Sequence, residues 1–385
     1  MSKKERLLVE EEEASSISSS SSPPSSLSSS SQSSPSTPSS FVVIPNLSSL
    51  GNSLAGLTGA ALLYLYQCEL IYPSSFPEGS RIHVAKPSDY GIEQYTEERL
   101  KTRDHVRLHT YVMMVSENPE EATEAPTILY FHARNGFALG HRLPIAKVFH
   151  ERHRCNVVML SYRGYGFSEG KPNEKGLRID AQTLLDYVRA HPVLKKTLLI
   201  AYGQSIGGAV AIDLVSRNED YFAGLIVENT FLSVPKLIPH VLPVLKHFKF
   251  LCHQHWQSDS SVKRIQKTPV LFLSGACDEL VPPTHMRRLF DQCQSQISKD
   301  WVQFPNGMHN DTCMQTGYFT AIGNFLKGRV LPRKQVVREQ QAQQEAAAAD
   351  AARAVEKSPT TPSSSSTSKK MKKYRLQCRR KSTNW

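Results

Sequence analysis

The fold of this chain is decided by the stretch T-L-L-I-A-Y-G-Q-S-I-G-G-A-V-A-I-D-L-V, residues 197–215. Its apolar start predicts a buried strand, and its end predicts a helix. Ser205 lies between them, with Gly203 two residues before it and Gly207 two residues after it. Glycines at these positions suit a sharp turn in which strand and helix nearly touch. Such a turn would expose the Ser205 hydroxyl and aim the Ile206 amide at an oxygen that gains negative charge above it.

A second serine fits the same five-residue pattern, in G-F-S-E-G at residues 166–170. This motif is followed by the polar segment K-P-N-E-K, where no helix is expected. Ser168 is therefore interpreted as a loop residue that shapes the rim of the site, and Ser205 is the candidate nucleophile.

From about residue 81 to residue 331, short apolar runs alternate with helical patterns. This alternation predicts an α/β domain with a mainly parallel sheet and helices on both faces. Residues 106–115 alternate like a half-exposed strand, and a helix is expected at 180–190. Buried parallel strands are predicted at residues 127–131, 157–161, 198–202, 224–227, 270–273 and 301–304. Ligands bind at the carboxyl ends of such strands, so the loops there are the candidate site.

Two of these loops carry an acid and a base. Asp278 and His309 each follow a predicted strand, and with Ser205 they give the chain order Ser, Asp, His. His309 would accept the Ser205 proton and return it to the leaving group. Asp278 would orient the imidazole and stabilise its cation. Glu279 and Asp311 are the fallback acids.

An insertion at residues 229–268 is interpreted as a small cap over Ser205. Its apolar residues are Leu237, Ile238, Val241, Leu242, Val244, Leu245, Phe248, Phe250 and Leu251. A lid of this kind suits an acyl chain or a lipid, although the same residues would also serve to cover the sheet.

Both ends of the chain have low sequence complexity. Residues 1–40 are predicted to be a disordered serine-rich tail. Residues 332–385 are predicted to be a charged helix followed by a disordered basic tail, which carries most of the formal charge of +11. That tail suits an anionic membrane face, plain solvation or nonspecific nucleic-acid contact. No specific nucleic-acid partner is expected, because no aromatic platform accompanies the basic residues.

An apolar segment at residues 48–72 predicts a membrane-anchor helix. Its window L-A-G-L-T-G-A-A-L-L-Y-L-Y at 54–66 is shorter than the roughly 20 residues of a typical spanning helix. The alternative is a helix packed on the catalytic domain. Nearby basic residues, Arg81 and Lys86, lie only on the C-terminal side. This arrangement predicts a single-pass protein of the endoplasmic reticulum or plasma membrane, with its catalytic domain in the cytosol.

The seven cysteines are scattered, which favours reduced thiols. The run C-H-Q-H at 252–255 invites a metal-site interpretation, but no second ligand cluster accompanies it. Neither a metal nor a cofactor is therefore expected.

Six short motifs resemble those of the alpha/beta hydrolase superfamily. They are E-L-I-Y-P at 69–73, S-Y-R-G-Y-G at 161–166, G-Q-S-I-G-G at 203–208, V-E-N-T-F at 227–231, D-E-L-V-P-P at 278–283 and G-M-H-N-D at 307–311. Within that superfamily the chain resembles membrane-anchored serine hydrolases related to fungal bud-emergence proteins and animal acyl-protein thioesterase-like proteins. The resemblance implies an eight-stranded sheet, the same triad and an N-terminal anchor, but no firm substrate.

One loop departs from the pattern of these relatives. They usually carry H-G-N-x-G after the strand equivalent to 127–131, where a backbone N–H completes the oxyanion hole. This chain has H-A-R-N-G-F-A-L-G at 132–140. The second donor is expected to be the amide of Ala133 or Arg134, with Ile206 supplying the first. Loss of one donor typically costs a factor of about 10² to 10³ in turnover.

The sequence thus predicts a membrane-associated serine hydrolase of the carboxylesterase or thioesterase type. It would cleave an ester, thioester or amide through an acyl-enzyme on Ser205. Acyl-containing small molecules, lipids and S-acylated proteins are the expected substrates. The alternative, suggested by the altered loop, is a noncatalytic membrane scaffold with a hydrolase fold that acts in cell polarity or shape.

Overall fold

The computed structural model describes residues 47–75, 78–133, 142–336 and 339. The chain separates into units of residues 1–53 and 54–385, and every side-chain contact given below lies within the second. The predicted tail at 1–40 and most of the predicted segment at 332–385 lie outside the described residues. Arg134 lies outside them as well.

Eight strands form one twisted layer at the centre of the described chain. They are β1 (Tyr95–Lys101), β2 (Arg107–Met113), β3 (Thr127–Phe131), β4 (Asn156–Leu160), β5 (Leu199–Gln204), β6 (Phe222–Glu228), β7 (Val270–Gly275) and β8 (Lys299–Phe304). Their spatial order is β1-β2-β4-β3-β5-β6-β7-β8. Strands β3 to β8 run parallel, whereas β2 is antiparallel to both β1 and β4. The predicted α/β fold with a mainly parallel sheet of eight strands is confirmed.

Helices cover both faces of the sheet. The α-helices of the described residues are α1 (Leu47–Ile71), α2 (Pro119–Glu124), α3 (Leu143–Lys147), α4 (Glu174–Ala190), α5 (Ile206–Arg217), α6 (Val234–Val241), α7 (Ser258–Val262), α8 (Pro283–Gln292) and α9 (Tyr318–Phe325). Short 3₁₀ helices lie at Pro87–Tyr90, Leu194–Lys196, Glu219–Tyr221, Pro243–Leu251, Thr312–Met314 and Leu331–Arg333, and π turns lie at Val148–Arg152 and Leu326–Val330.

Strand β2 corrects one prediction from the sequence. The half-exposed strand expected at 106–115 is buried from its second residue onward. Leu108 and Val112 join the core on one face of the sheet, while Tyr111 and Met113 join the core on the other. The reason is that β1, a charged edge strand, pairs outside β2.

Helix α1 covers the segment predicted as an anchor. In the part of the chain that the structure describes, no helix combines the length and apolarity needed to cross a membrane. The second half of α1 packs as the alternative hypothesis expected. Gln67 is buried, its amide donates to the carbonyl of Leu251 at 3.2 Å, and its carbonyl accepts the His253 amide at 2.8 Å. The single-pass topology stays a prediction.

Candidate active site

Ser205 lies at the tip of the turn between β5 and α5. Its backbone has φ 54° and ψ −121°, a region that non-glycine residues adopt only where the surrounding structure enforces it. A Cβ on Gly203 would lie 2.2 Å from the Gly207 carbonyl oxygen, and one on Gly207 would lie 2.1 Å from that of Phe131. Both glycines are therefore required for β3, β5 and α5 to approach this closely.

The side chains of Ser205, His309 and Asp278 form a hydrogen-bonded chain. His309 Nε2 lies 3.0 Å from Ser205 Oγ, and His309 Nδ1 lies 2.8 and 3.0 Å from the two Asp278 carboxylate oxygens. The amides of Leu280 and Val281 donate to the same carboxylate at 3.0 and 2.8 Å. An ionised carboxylate only accepts hydrogen bonds, so Nδ1 carries the ring proton and Nε2 is free to accept the serine proton.

The two fallback acids support the histidine loop instead of its ring. Glu279 accepts the His309 amide at 3.0 Å, and Asp311 accepts the Met308 amide at 2.6 Å. Their carboxylates therefore fix the backbone of the loop, while Asp278 is the acid that contacts the imidazole.

Asn229, which sequence reasoning did not assign to the site, joins the loops of the acid and the base. Its side-chain amide donates to the carbonyls of Met308 and His309, both at 3.2 Å, and to Thr312 Oγ1 at 2.9 Å. Its side-chain carbonyl accepts the Gly275 amide, at the end of β7, at 2.8 Å. Asn229 has φ 45°, a conformation that asparagine tolerates better than most residues. Its place in V-E-N-T-F, directly after a predicted strand, was the available signal.

A buried carboxylate lies beneath the same loop. Glu228 accepts hydrogen bonds from the hydroxyls of Tyr202 and Tyr318 at 2.7 and 2.6 Å. Gln204 bridges from this carboxylate, at 3.2 Å, to the His309 carbonyl, at 3.1 Å. Burial raises the pKa of Glu228 above its ordinary range. The network gives the His309 backbone a second fixed support.

The predicted oxyanion donors lie near the serine where they are described. The Ile206 amide is the first of α5, and the first amides of a helix have no intrahelical partner. Ala133 is buried just past β3, whose last residue, Phe131, closely approaches Gly207. Arg134, the other candidate, lies outside the described residues. The oxyanion roles therefore stay predictions.

Ser168, which was placed at the rim by sequence reasoning, is buried. Its hydroxyl donates to the Ser161 carbonyl at 2.7 Å and accepts the His109 amide at 2.8 Å. It thereby joins β2 to the residue after β4 and pairs two backbone groups that are buried from water. Its role is structural, and the rim prediction was wrong.

An apolar cavity of about 220 Å³ adjoins Ser205 and Ile206. The cap contributes Phe231, Val234, Leu237, Ile238, Val241, Leu242, Leu245, Phe248, Leu251 and Cys252, and helix α1 contributes Leu63, Gln67, Leu70 and Ile71. Two predicted cap residues, Val244 and Phe250, point to solvent and are 85% and 76% exposed. Across the described residues, no group of three His, Cys, Asp or Glu side chains is arranged to hold a metal ion.

This sheet with its serine-bearing turn defines the class of the protein. Residues 145–265 match the family described as serine aminopeptidase, S33 (Hydrolase_4). An esterase of Pyrococcus furiosus has the same fold, with a TM-score of 0.55 at 16% identity over 65% of this chain and 96% of that one. The chain belongs to the alpha/beta hydrolase family.

Relatives of higher identity lie in fungi and plants. Protein bem46 of Schizosaccharomyces pombe is 46% identical over 295 residues, which cover 76% of this chain and 96% of that protein. An uncharacterised membrane protein of Saccharomyces cerevisiae is 41% identical over 279 residues, 72% of this chain and 95% of its own. The alpha/beta hydrolase domain-containing protein WAV2 of Arabidopsis thaliana is 35% identical, over 71% of this chain and 92% of its own.

Proposed function

We propose that the chain is a serine hydrolase that cleaves an ester or thioester with an apolar acyl group. The observation that carries this proposal is the 3.0 Å contact between Ser205 Oγ and His309 Nε2, with Asp278 on the opposite ring nitrogen. A hydroxyl becomes nucleophilic at neutral pH when an oriented imidazole removes its proton as it attacks.

Acylation begins when Ser205 Oγ attacks the carbonyl carbon and its proton passes to His309 Nε2. Asp278 stabilises the imidazolium that forms, and the Ile206 amide faces the oxygen that takes up negative charge. The bond to the leaving group then breaks, and the proton on Nε2 goes to the departing oxygen or sulfur. The acyl group is left esterified to Ser205.

Deacylation repeats these steps with water. His309 Nε2 accepts a proton from the attacking water, and the oxygen of that water bonds to the acyl carbon. The Ser205 ester bond breaks, and Ser205 recovers its proton from the imidazolium. The products are a carboxylic acid and the free enzyme.

Three observations support a lipid or acyl-protein substrate at a membrane. The cavity beside Ser205 is lined almost entirely by aliphatic and aromatic side chains, and such a lining binds an acyl chain by excluding water. The S. cerevisiae relative is described as a membrane protein. The exposed face of α1, which includes Leu62, Leu65 and Tyr66, suits contact with lipid.

The test is covalent labelling with a fluorophosphonate probe, which reacts with activated serines. The wild-type chain and Ser168→Ala should label, because Ser168 is the buried serine of the second glycine–serine motif. Ser205→Ala should not label. Thermal melts of all three proteins would show that each is folded.

The same test examines the competing hypothesis, a noncatalytic scaffold. Folded wild-type protein that neither labels at Ser205 nor hydrolyses p-nitrophenyl acetate would favour it and overturn the proposal. Labelling that persists in Ser205→Ala would assign the nucleophile elsewhere.

A further inference from the structure

The second half of α1 supplies one part of the cavity wall. Leu63, Gln67, Leu70 and Ile71 recur at the spacing of one helix face, and all four line the cavity beside Ser205. The segment predicted as a membrane anchor therefore lines the cavity beside the candidate nucleophile.

Hydrogen bonds and ring contacts hold α1 against the end of the cap. Gln67 uses both ends of its side-chain amide, on Leu251 and His253. The ring of His253 meets that of Tyr64 edge to face, with centroids 5.1 Å apart. This end of α1 is thus joined to the cap by directional contacts, so the position of the wall is fixed.

Tyr72, just past α1, adds a buried connection. Its hydroxyl donates to Gln254 at 3.1 Å and accepts the Trp256 indole N–H at 2.7 Å. Both partners belong to the cap insertion, so movement of α1 would break buried hydrogen bonds.

The polar atoms of the lining are already engaged. The Gln67 amide is paired as above, and the Cys252 thiol donates to the Gln254 carbonyl at 3.1 Å. Apart from the Ser205 hydroxyl and the neighbouring Ile206 amide, the cavity offers an occupant mainly apolar contact. A charged or hydroxylated acyl group would lose its hydration there without replacement.

The volume of the cavity gives an expected length for an acyl chain bound in it. A cavity of about 150 Å³ holds one six-carbon benzene ring. In the same proportion, the cavity of about 220 Å³ accommodates about nine carbons.

We infer that α1 and the cap together form an acyl-chain subsite that selects chains of about eight to ten carbons. This inference rests on the proposed function, since it names the substrate class of the same serine. It assigns Leu63 and Leu70 of α1 as specificity-determining residues.

The first measurement is kcat/KM for p-nitrophenyl esters from C2 to C16, with the full-length protein. Each added methylene that becomes buried should raise kcat/KM by at most about fourfold. The rise should stop near C8 to C10, because carbons beyond that number have no further wall to contact. A flat profile, or one that keeps rising to C16, would overturn the inference.

Two variants on the same helix test whether the cavity-lining face of α1 affects the preferred chain length. Leu63→Trp fills part of the cavity and should shorten the preferred chain by about two carbons. Leu65→Trp is the matched control, because Leu65 is 66% exposed and lies outside the lining. It should keep the wild-type profile. Identical profiles for the two variants would refute a role for α1.

The two proposals fail in different ways. If Ser205 neither labels with a small fluorophosphonate nor hydrolyses the acetate ester, the proposed function fails. If labelling and acetate hydrolysis are intact but chain length and Leu63→Trp have no effect, the acyl subsite alone is wrong.

Discussion

Replacing Asn229 with glycine tests whether the loops of the acid and the base act as one unit. Asn229 accepts the Gly275 amide at the root of the Asp278 loop and donates to the His309 carbonyl. Glycine removes these bonds but accepts the φ of 45° without strain, so only the side-chain contacts change.

The expected cost follows from the groups left without partners. The buried Gly275 amide loses its acceptor, worth about 1–3 kcal/mol, and the lost bond to Thr312 adds about 1 kcal/mol. The His309 carbonyl retains the Gln204 amide at 3.1 Å. Stability should therefore fall by about 2–4 kcal/mol, with the loop still folded. A shift of the imidazole by a fraction of an ångström should lower kcat about 10- to 100-fold.

The assay compares urea unfolding with kcat and KM for an acetate ester, well below the melting temperature. Asn156→Ala is the matched control, since Asn156 is also fully buried. It donates to the Ala122 carbonyl at 2.8 Å and accepts the Val115 amide at 3.1 Å, at the end of the sheet away from Ser205. It should lose similar stability and keep its kcat.

The positioning role would be refuted by equal kcat values for Asn229→Gly and wild type, both fully folded. It would also be refuted if Asn156→Ala lost as much kcat as Asn229→Gly, because the loss would then follow from stability alone. A change confined to KM would point to the cavity and not to the imidazole.

Two further predictions concern stability. Asp180→Ala should cost about 3 kcal/mol in urea unfolding, because it leaves Arg163, whose side chain is 6% exposed, without its buried carboxylate. Asp104→Ala should cost about 1 kcal/mol, since the Asp104 side chain is 40% exposed. Equal losses of stability in the two variants would contradict this prediction. Burial lowers the pKa of His132 to about 4. The unfolded state, with a histidine pKa of about 6.5, therefore binds more protons between pH 6.5 and 4. Stability should be fully present above that window and fall within it by up to about 1.4 kcal/mol per pH unit from this group. His132→Phe should show a shallower fall between pH 7 and 4.5 in urea titrations, and an unchanged slope would count against this assignment.

The central strands could be predicted from the sequence because burial on both faces leaves a continuous apolar run. The run predicted at 127–131 coincides with β3, and the other five predicted strands overlap β4 to β8. Strand β1 was missed because Y-T-E-E-R-L-K has charged residues on an exposed edge, where the apolar signal is weak. The burial of β2 depends on that missed strand, so the sequence alone could not show it.

The three residues predicted as a triad follow strands that the sequence revealed, and parallel strands bring their carboxyl ends to one edge. Asn229 and Gln204 could not be assigned in the same way. Their contacts join side-chain amides to backbone carbonyls more than 70 residues away in the chain. Such pairings depend on loop conformation, on which periodicity carries no information.

The apolar residues of helix α1 are compatible both with contact with a membrane and with packing on the catalytic domain. A helix that only closes a cavity needs one apolar face, yet Leu62, Leu65 and Tyr66 on its outer side are 51%, 66% and 59% exposed. These leucines are already partly buried, so each would gain about 1–2 kcal/mol on full burial, and this face therefore suits contact with lipid. In the proposed function the bilayer would contact the outer face while an acyl chain contacts Leu63 on the inner face. The substrate chain would then move only about one helix diameter, roughly 10 Å, from lipid to Ser205.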